Sequence, residues 1–196
     1  MKTKISTRMI ASIGICGAVS LVLMMLDFSL PIVPSFVKFD FSDLPSLICA
    51  FAFGPLAGAL VELIKNLLHL FMTSTAGVGE LSNFILGCFL VVPAGLIYKR
   101  GKTRKNALIG MLCGTICFGI VSLFSNYFIM FPFYVNAMGF PLDAIIKMGT
   151  DISPVFNSEF KLIALCVVPF NIFKGLVISL LTFLLYKRLR PILKGK

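Results

Sequence analysis

The 196-residue chain has no tryptophan, a single histidine and only eight acidic residues. Charged residues make up 13% of the sequence, whereas hydrophobic residues make up 58% and the mean hydropathy is +1.00. A typical soluble domain carries about twice that share of charge. The shortage of charge therefore excludes an ordinary soluble protein. It predicts a multi-pass protein of the cell membrane in which residues 1–196 form one membrane domain.

Signatures of enzymes and metal sites are also missing. The sequence contains neither the H-E-x-x-H pattern of metalloproteases nor the G-x-S-x-G pattern of esterases. Its six cysteines fall in apolar runs without metal-binding or thioredoxin spacing, so we interpret them as packing residues. We therefore expect no enzyme activity, no metal site and no cofactor.

One short segment resembles the end of a phosphate-binding loop. Residues Gly101, Lys102 and Thr103 match its last three positions, but Leu96 stands where the motif requires glycine. No strand precedes the segment. The chain therefore has no nucleotide-hydrolysis site of its own.

The distribution of charge predicts the topology. Thirteen of the 18 lysines and arginines lie in three short segments without acids, at the two termini and in residues 99–105. Seven of the eight acids lie in the other loops. The positive-inside rule places the basic segments, and so both termini, in the cytoplasm. The net charge of +10 thus indicates orientation in a lipid bilayer and not nucleic-acid binding.

The apolar runs predict an all-α integral membrane fold, a bundle of six transmembrane helices. Residues 44–72 are interrupted by Gly54 and Pro55 and are too few for two full spans, which need about 40 residues. One helix of this pair must therefore be short. The predicted helices cover residues 9–26, 44–53, 55–72, 80–98, 107–131 and 162–186, with a further short helix near 142–148.

The last predicted helix contains one charge, Lys174, near its centre. A lysine at that depth costs about 2.5–3.5 kcal/mol on insertion scales. Asn171 lies three residues earlier and on the same helix face. The pair indicates a polar ligand or a polar partner. Glu62 is the alternative, a counter-ion that would make Lys174 structural.

The third predicted helix presents a polar face formed by Glu62, Lys65, Asn66 and His69. Two interpretations remain open from the sequence. Glu62 and Lys65 neutralise each other inside the bundle, or the face lines a path for a ligand or for protons. The second interpretation would suit a proton-coupled permease that uses Glu62, Lys65 and His69.

Further polar and aromatic residues are expected at the outward end of the bundle. Glu80 caps the start of its helix or binds a ligand, and the first loop is a lid or an ordinary connection. The candidate ligand-binding residues are Asn126, Asn171, Lys174, Glu80, Asn83, Asp40, Phe39 and Phe41. A pocket with neutral amides and aromatic walls suits a large, flat, neutral ligand that carries hydroxyl groups.

Small residues form a stripe on the first predicted helix, at Ala11, Gly14, Gly17 and Ala18. Such a stripe lets a second helix approach closely in a membrane. The neighbour is either another helix of this chain or a separate protein.

In this order, several segments resemble one family. They are FDFSDLP at 39–45, GP at 54–55, ELIKN at 62–66, GELSNF at 79–84, NY at 126–127 and PFNIFKG at 169–175. With the six-span plan, they make the chain similar to the substrate-binding S components of energy-coupling factor (ECF) vitamin transporters, of the riboflavin type. The resemblance covers essentially the whole chain.

The resemblance implies a binding and translocation subunit for riboflavin. Asn126, Asn171 and Lys174 would contact the isoalloxazine ring, while Glu80, Asn83 and the first loop would contact the ribityl chain. A transmembrane coupling subunit and two ATPase subunits would complete the transporter, with the small-residue stripe as the docking surface. The stripe departs from the family's A-x-x-x-A spacing. An S component for FMN or another vitamin is the nearest alternative.

Overall fold

The structure is a computed structural model that describes residues 6–194. The basic residues Lys2, Lys4 and Lys196, which contribute to the predicted topology, lie outside this range. The described residues are mostly helical. The helices are α1 Thr7–Met25, α2 Asp43–Phe53, α3 Pro55–His69, α4 Val78–Gly101, α5 Arg104–Ser125, α6 Phe131–Asn136, α7 Leu142–Thr150, α8 Glu159–Leu162 and α9 Val168–Lys194.

Within residues 6–194, five helical segments are long and apolar enough to cross a membrane. They are Thr7–Met25, Pro55–Met72, Val78–Gly101, Arg104–Asn136 and Glu159–Leu189. The 11-residue α2 is only about 17 Å long at 1.5 Å per residue, which is shorter than the hydrocarbon core. Most of its residues are buried, so α2 lies inside the bundle. The chain is therefore an α-helical integral membrane protein.

The α2–α3 hairpin turns at Gly54, which adopts a φ of +111° that strongly favours glycine. Pro55 follows as the first residue of α3, where its missing N–H is not needed. A Cβ atom on Gly95 of α4 would lie 3.0 Å from Pro55 Cα. The hairpin therefore packs tightly against α4.

In the part of the chain that the structure describes, two π-helical turns interrupt the long helices, at Asn126–Met130 and Ile163–Val167. Each ends just before a proline, Pro132 or Pro169, which cannot donate the usual hydrogen bond to the preceding turn. The helix expected over residues 107–131 therefore continues through the first π turn to Asn136. The helix expected over 162–186 begins at Glu159 and extends to Lys194.

The first loop folds back over the end of the bundle. Strands β1 (Phe28–Ser29) and β2 (Lys38–Phe39) pair in antiparallel fashion, with Phe28 opposite Phe39. Phe39 is buried and belongs to a core cluster that also contains Phe131 and Phe170. The ribbon thus brings the loop residues that follow it against α9.

Candidate functional site

Lys174 on α9 lies at the centre of the site and is 4% exposed. Its Nζ donates a hydrogen bond to Asp40 Oδ2 in the first loop over 2.6 Å, and Asp43 Oδ2 lies 4.0 Å away. Asp40 is therefore the main counter-ion of Lys174. The alternative in which Glu62 fills that role is wrong, because Glu62 pairs with Lys65 instead.

Asp40 is held by its own turn as well as by Lys174. Its Oδ1 accepts a hydrogen bond from the backbone N–H of Ser42 over 2.8 Å. Burial alone would raise the pKa of the Asp40 carboxyl, but the ammonium groups of Lys174 and Lys65 outweigh burial and hold this pKa at about 2. Asp40 is thus a stable carboxylate.

Lys65 on α3 forms the second half of the same cluster. Its ammonium is fully buried and donates hydrogen bonds to Ser42 Oγ over 2.8 Å and to Asp43 Oδ1. Glu62 Oε2 lies 2.8 Å from the same nitrogen. This arrangement supports the interpretation in which Glu62 and Lys65 neutralise each other. We call Asp40, Asp43, Glu62, Lys65 and Lys174 the buried charge cluster.

Aromatic side chains surround the loop above Lys174. The ring of Phe39 contacts Phe41 at a centroid distance of 5.2 Å, Phe173 at 6.0 Å and Phe170 at 6.2 Å. Phe170 and Phe173 lie on either side of Asn171 in the sequence of α9. Their contacts with Phe39 therefore place the first loop against the candidate ligand-binding stretch. The contacts with Phe41 and Phe170 are edge-to-face, an arrangement that aromatic pairs prefer, and the contact with Phe173 is tilted.

Glu80 lies in a second polar cluster, where α3 ends and α4 begins. Its Oε1 lies 2.8 Å from His69 Nδ1, and its Oε2 accepts hydrogen bonds from Thr73 over 2.9 Å and from Thr75 over 3.3 Å. Glu80 is 4% exposed. The carboxylate therefore fastens α4 to α3 in addition to lying in the first helical turn.

The three candidate amides differ in their partners. Asn126 Nδ2 donates to the carbonyl of Ser122 over 2.8 Å, and Asn171 Nδ2 donates to Val167 over 3.1 Å. Both bonds run to the preceding turn of the same helix and occupy the nitrogen, not the carbonyl oxygen. Asn83 Oδ1 is buried without a hydrogen-bond partner among the described residues.

The π turns lie beside two of these amides. Asn126 is the first residue of one π turn, and Val167, which accepts from Asn171, is the last residue of the other. Such turns occur often at functional sites, because they rotate the side chains that follow. A hydrogen bond of 2.6 Å between Ser82 and Ser125 connects the neighbourhoods of Asn83 and Asn126.

The structure thus collects the candidate residues into two groups. One group joins the first loop to α9 through Phe39, Phe41, Asp40, Lys174 and Asn171. The other lies where α3, α4 and α5 meet and contains Glu80, Asn83 and Asn126. Lys65 and His69, both on α3, connect the two groups through Asp43 and Glu80.

A comparison with known families identifies the chain. Residues 8–186 match the family model described as "ECF transporter, substrate-specific component". The chain belongs to this family. The resemblance seen in the sequence is confirmed, and the family is one of transport subunits and not of enzymes. This S component is accordingly a multi-pass protein of the bacterial plasma membrane.

Individual relatives of this S component align over nearly their full length. It is 35% identical to the riboflavin transporter RibU of Staphylococcus aureus, covering 95% of this chain and 93% of the relative. It is 32% identical to the riboflavin transporter FmnP of Bacillus subtilis, with 91% and 90% covered. A solved S component of a bacterial ECF transporter is 34% identical to this chain and superposes on it with a TM-score of 0.74. The match covers 95% of this chain and 97% of the solved chain.

The small-residue stripe of this S component is divided between two faces of α1. Ala11, Gly14 and Ala18 are exposed, and a Cβ atom on Gly14 would meet no atom within 4 Å. Gly17 is buried instead, where a Cβ atom would lie 2.6 Å from Ile64 Cγ2 on α3. Gly17 therefore packs within the chain, and the other three residues line the outer surface.

An apolar groove of about 490 Å³ runs beside that exposed stripe. Its walls come from α1 and from the α2–α3 hairpin, and include Gly14, Phe53, Pro55 and Ile64. The groove shares no residue with the buried charge cluster, although Ile64 in its wall precedes Lys65 in sequence. It belongs to the surface of α1 and not to the candidate ligand site.

Several functional side chains were missed in the sequence. Ser42 bonds both Asp40 and Lys65, and Thr73 and Thr75 hold Glu80. Small hydroxyl residues are common in loops, so only their position between acids, as in DFSD, offered a signal. Ser82 and Ser125 offered none, because their contact joins two helices.

Proposed function

We propose that this chain is the riboflavin-binding subunit of an ATP-driven ECF uptake transporter. In this proposal six helices with both termini in the cytoplasm form the bundle, and α2 is the short member. The first loop and α9 face outward, where riboflavin is captured. Curated relatives named riboflavin transporters, at 32–35% identity over most of the chain, support this choice of ligand.

One observation carries the proposal, namely the contact of the first loop with Lys174 and the stretch around Asn171. In the loop, the ring centroid of Phe39 lies 6.0 Å from that of Phe173, and Asp40 accepts a hydrogen bond from Lys174. Aromatic faces, an amide oxygen and an ammonium then lie at one place. Aromatic faces suit the flavin tricycle, and the polar groups suit the alternating acceptors and donor of its pyrimidine edge.

In the proposed site, Asn126, Asn171 and Lys174 bind the ring edge. Glu80, Asn83, Asp40, Phe39 and Phe41 enclose the remainder of the ligand. A proton-coupled permease has less support, because Lys65 and Glu62 are paired with each other inside the buried charge cluster. Uptake by such a permease would continue without ATPase subunits and stop with an uncoupler.

Riboflavin fluorescence provides the direct test, since the ligand is itself fluorescent. The purified chain is titrated into dilute riboflavin, and we expect quenching with a midpoint below about 1 μM, equivalent to a binding free energy near −8 kcal/mol. Unchanged fluorescence at micromolar protein would refute the proposal. FMN and unrelated vitamins serve as competitors and decide between the alternative S-component ligands.

Asn171→Ala tests the position of the ring. Its one hydrogen bond to another described residue lies within its own helix, so the fold should tolerate the change. We expect riboflavin binding to weaken at least about tenfold, or 1.4 kcal/mol. Asn106→Ala is the matched control, because Asn106 lies about 30 Å from Asn126 along α5. Equal affinities in both variants would place the ring elsewhere.

The exposed face of α1 is the proposed docking surface for a transmembrane coupling subunit, which acts with two ATPase subunits. Gly14→Leu should leave riboflavin binding intact and abolish co-purification with the coupling subunit. Gly17→Leu is the matched substitution on the buried face, and its clash with Ile64 should lower stability instead. Retained co-purification of the Gly14 variant would contradict the proposed surface.

A further inference from the structure

Helices α3 and α4 run antiparallel in a register that three contacts define. A Cβ atom on Gly58 would meet Val91, one on Gly87 would meet the Glu62 carboxylate, and His69 bonds Glu80. Each step along α3 is matched by an equal step in the opposite direction along α4. The same register places Asn66 opposite Asn83, one turn beyond the contact of Glu62 with Gly87.

Both of these amides have an unsatisfied acceptor. Asn66 is 4% exposed, and its Nδ2 donates to the backbone carbonyl of Glu62 over 2.8 Å. That bond fixes the orientation of the amide and leaves Oδ1 buried without a partner among the described residues. Asn83 Oδ1 is in the same condition. Buried acceptors are nearly always satisfied, so two at one level indicate a missing donor.

The neighbours above and below cannot supply that donor. Toward the loop, the hydrogens of Thr73 and Thr75 are committed to Glu80. In the other direction, the Lys65 ammonium is committed to Ser42 and the acids. A donor from outside the described chain, on a ligand or a water, would satisfy both acceptors.

The chemistry of the pair selects a neutral donor. Amide oxygens carry no net charge. Of the carboxylates on either side, Glu80 accepts from Thr73 and Thr75, and Glu62 is paired with Lys65 through Oε2 alone. Hydroxyl groups can donate to such a pair, whereas two amide oxygens are too few for a Ca²⁺ or Mg²⁺ ion, which takes six or more oxygen ligands. Ser82, next to Asn83 in sequence, bonds Ser125 beside Asn126, so the pair lies close to the proposed ligand site.

We propose that Asn66 and Asn83 together bind hydroxyl groups of the transported ligand, with Asn66 as a further specificity-determining residue. This inference rests on the proposed function, in which the ligand is riboflavin and its ribityl chain supplies the hydroxyls. The amide pair then binds the ribityl chain, while Asn171 and Lys174 bind the isoalloxazine ring. A flavin without hydroxyls would leave both acceptors unsatisfied.

Asn66→Leu separates these two parts of the ligand, because leucine has the same number and branching of side-chain heavy atoms but no acceptor. Binding is measured for riboflavin and for lumiflavin, which has the same ring but a methyl group in place of the ribityl chain. We expect the dissociation constant for riboflavin to rise about three- to tenfold, the effect of one lost neutral hydrogen bond. For lumiflavin it should change less than about twofold.

The controls keep the outcomes distinct. Asn171→Leu should weaken both ligands, since both carry the ring, and Asn106→Leu should weaken neither. Unchanged riboflavin affinity in Asn66→Leu would overturn the inference and assign the two acceptors to a bound water. Equal weakening of both ligands would overturn it too, because Asn66 would then only support the bundle.

A second variant, Asn66→Ala, is measured in the same way in case the leucine does not pack. Loss of lumiflavin binding in both variants would also overturn the inference, because the effect would not depend on hydroxyls. If the proposed riboflavin-binding function is itself wrong, the unmodified chain gives a different result. In that case the unmodified chain would bind neither flavin.

Discussion

Replacing Asp40 by asparagine tests whether the buried charge cluster holds the first loop on α9. The change preserves the shape of the side chain but removes the negative charge 2.6 Å from Lys174 Nζ. Asp43, at 4.0 Å, would remain as a weaker partner. Removing one member of a buried ion pair costs about 3–5 kcal/mol, and the remaining partner favours the lower end of that range. At about 2–4 °C per kcal/mol, a loss of about 3 kcal/mol lowers the unfolding midpoint by about 6–12 °C.

The free cysteines provide the assay. Cys16, Cys49 and Cys166 are buried, so a dye that fluoresces on reaction with thiols reports their exposure when the detergent-solubilised protein is heated. Asp27→Asn is the matched control in the same loop. Asp27 pairs with Lys38 over 2.9 Å, but the two side chains are 33% and 53% exposed. An exposed pair contributes at most about 1 kcal/mol, so the control should lose less than about 4 °C.

A double variant tests whether the loss of stability comes from breaking the ion pair between Asp40 and Lys174. Asp40→Asn leaves the Lys174 ammonium with only the weaker partner Asp43, whereas adding Lys174→Met removes that charge. The double variant should therefore unfold at a higher temperature than Asp40→Asn alone. If Asp40→Asn unfolded within the range of the Asp27 control, the buried charge cluster would not be what holds the first loop on α9. Losses in the double variant equal to the sum of the single variants would lead to the same conclusion.

Three other predictions follow from single contacts. Gly87→Ala should destabilise the protein by about 1–3 kcal/mol in the thiol assay, because its Cβ atom would displace the buried Glu62 carboxylate; an unchanged midpoint would contradict this packing. Ser125→Ala should cost about 1–3 kcal/mol by leaving Ser82 Oγ unpaired, and adding Ser82→Ala should restore part of the loss. The pKa of Asp40 is lowered to about 2, so its contribution to stability is complete above about pH 4 and is lost as the pH falls toward 2. The unfolding midpoint of Asp40→Asn should therefore depend less on pH between those values than the midpoint of the unmodified chain.

The helices could be predicted from the sequence because their signals are local. Gly54 and Pro55 mark a turn through their backbone preferences alone, and an apolar run too short for two spans requires one short helix. The π turns depend on how the chain accommodates Pro132 and Pro169. Proline indicates that a hydrogen bond is missing but not which turn adjusts to the loss.

The site was predictable in its residues but not in its pairings. Lys174 is conspicuous in an apolar helix, yet its partner Asp40 lies 134 residues earlier in the chain. No periodicity connects a loop residue to a helix so distant, so Glu62 was an equally reasonable counter-ion. Gly17 shows the same limit on α1. Small residues at helical spacing indicate a close approach, but not which face meets Ile64.

The charge balance of the site bears on the choice between riboflavin and FMN. The buried charge cluster contains three carboxylates and two ammonium groups, so a neutral ligand can contact Lys174 without displacing Asp40. The phosphate of FMN would add negative charge near Asp40 and Glu80. Two unit charges 8 Å apart repel by about 2 kcal/mol at an effective dielectric constant of about 20.

We therefore expect FMN to bind at least about tenfold more weakly than riboflavin, a difference of 1.4 kcal/mol. The measurement is competition by FMN for bound riboflavin. Phosphate repulsion predicts a smaller difference in Asp40→Asn, and predicts that lowering the pH from 7.5 to 5.5, which protonates the phosphate once, also reduces it. Equal affinities for the two flavins would show that the phosphate lies outside the influence of these carboxylates. An unchanged difference in Asp40→Asn would assign the discrimination to Glu80 or to the size of the pocket.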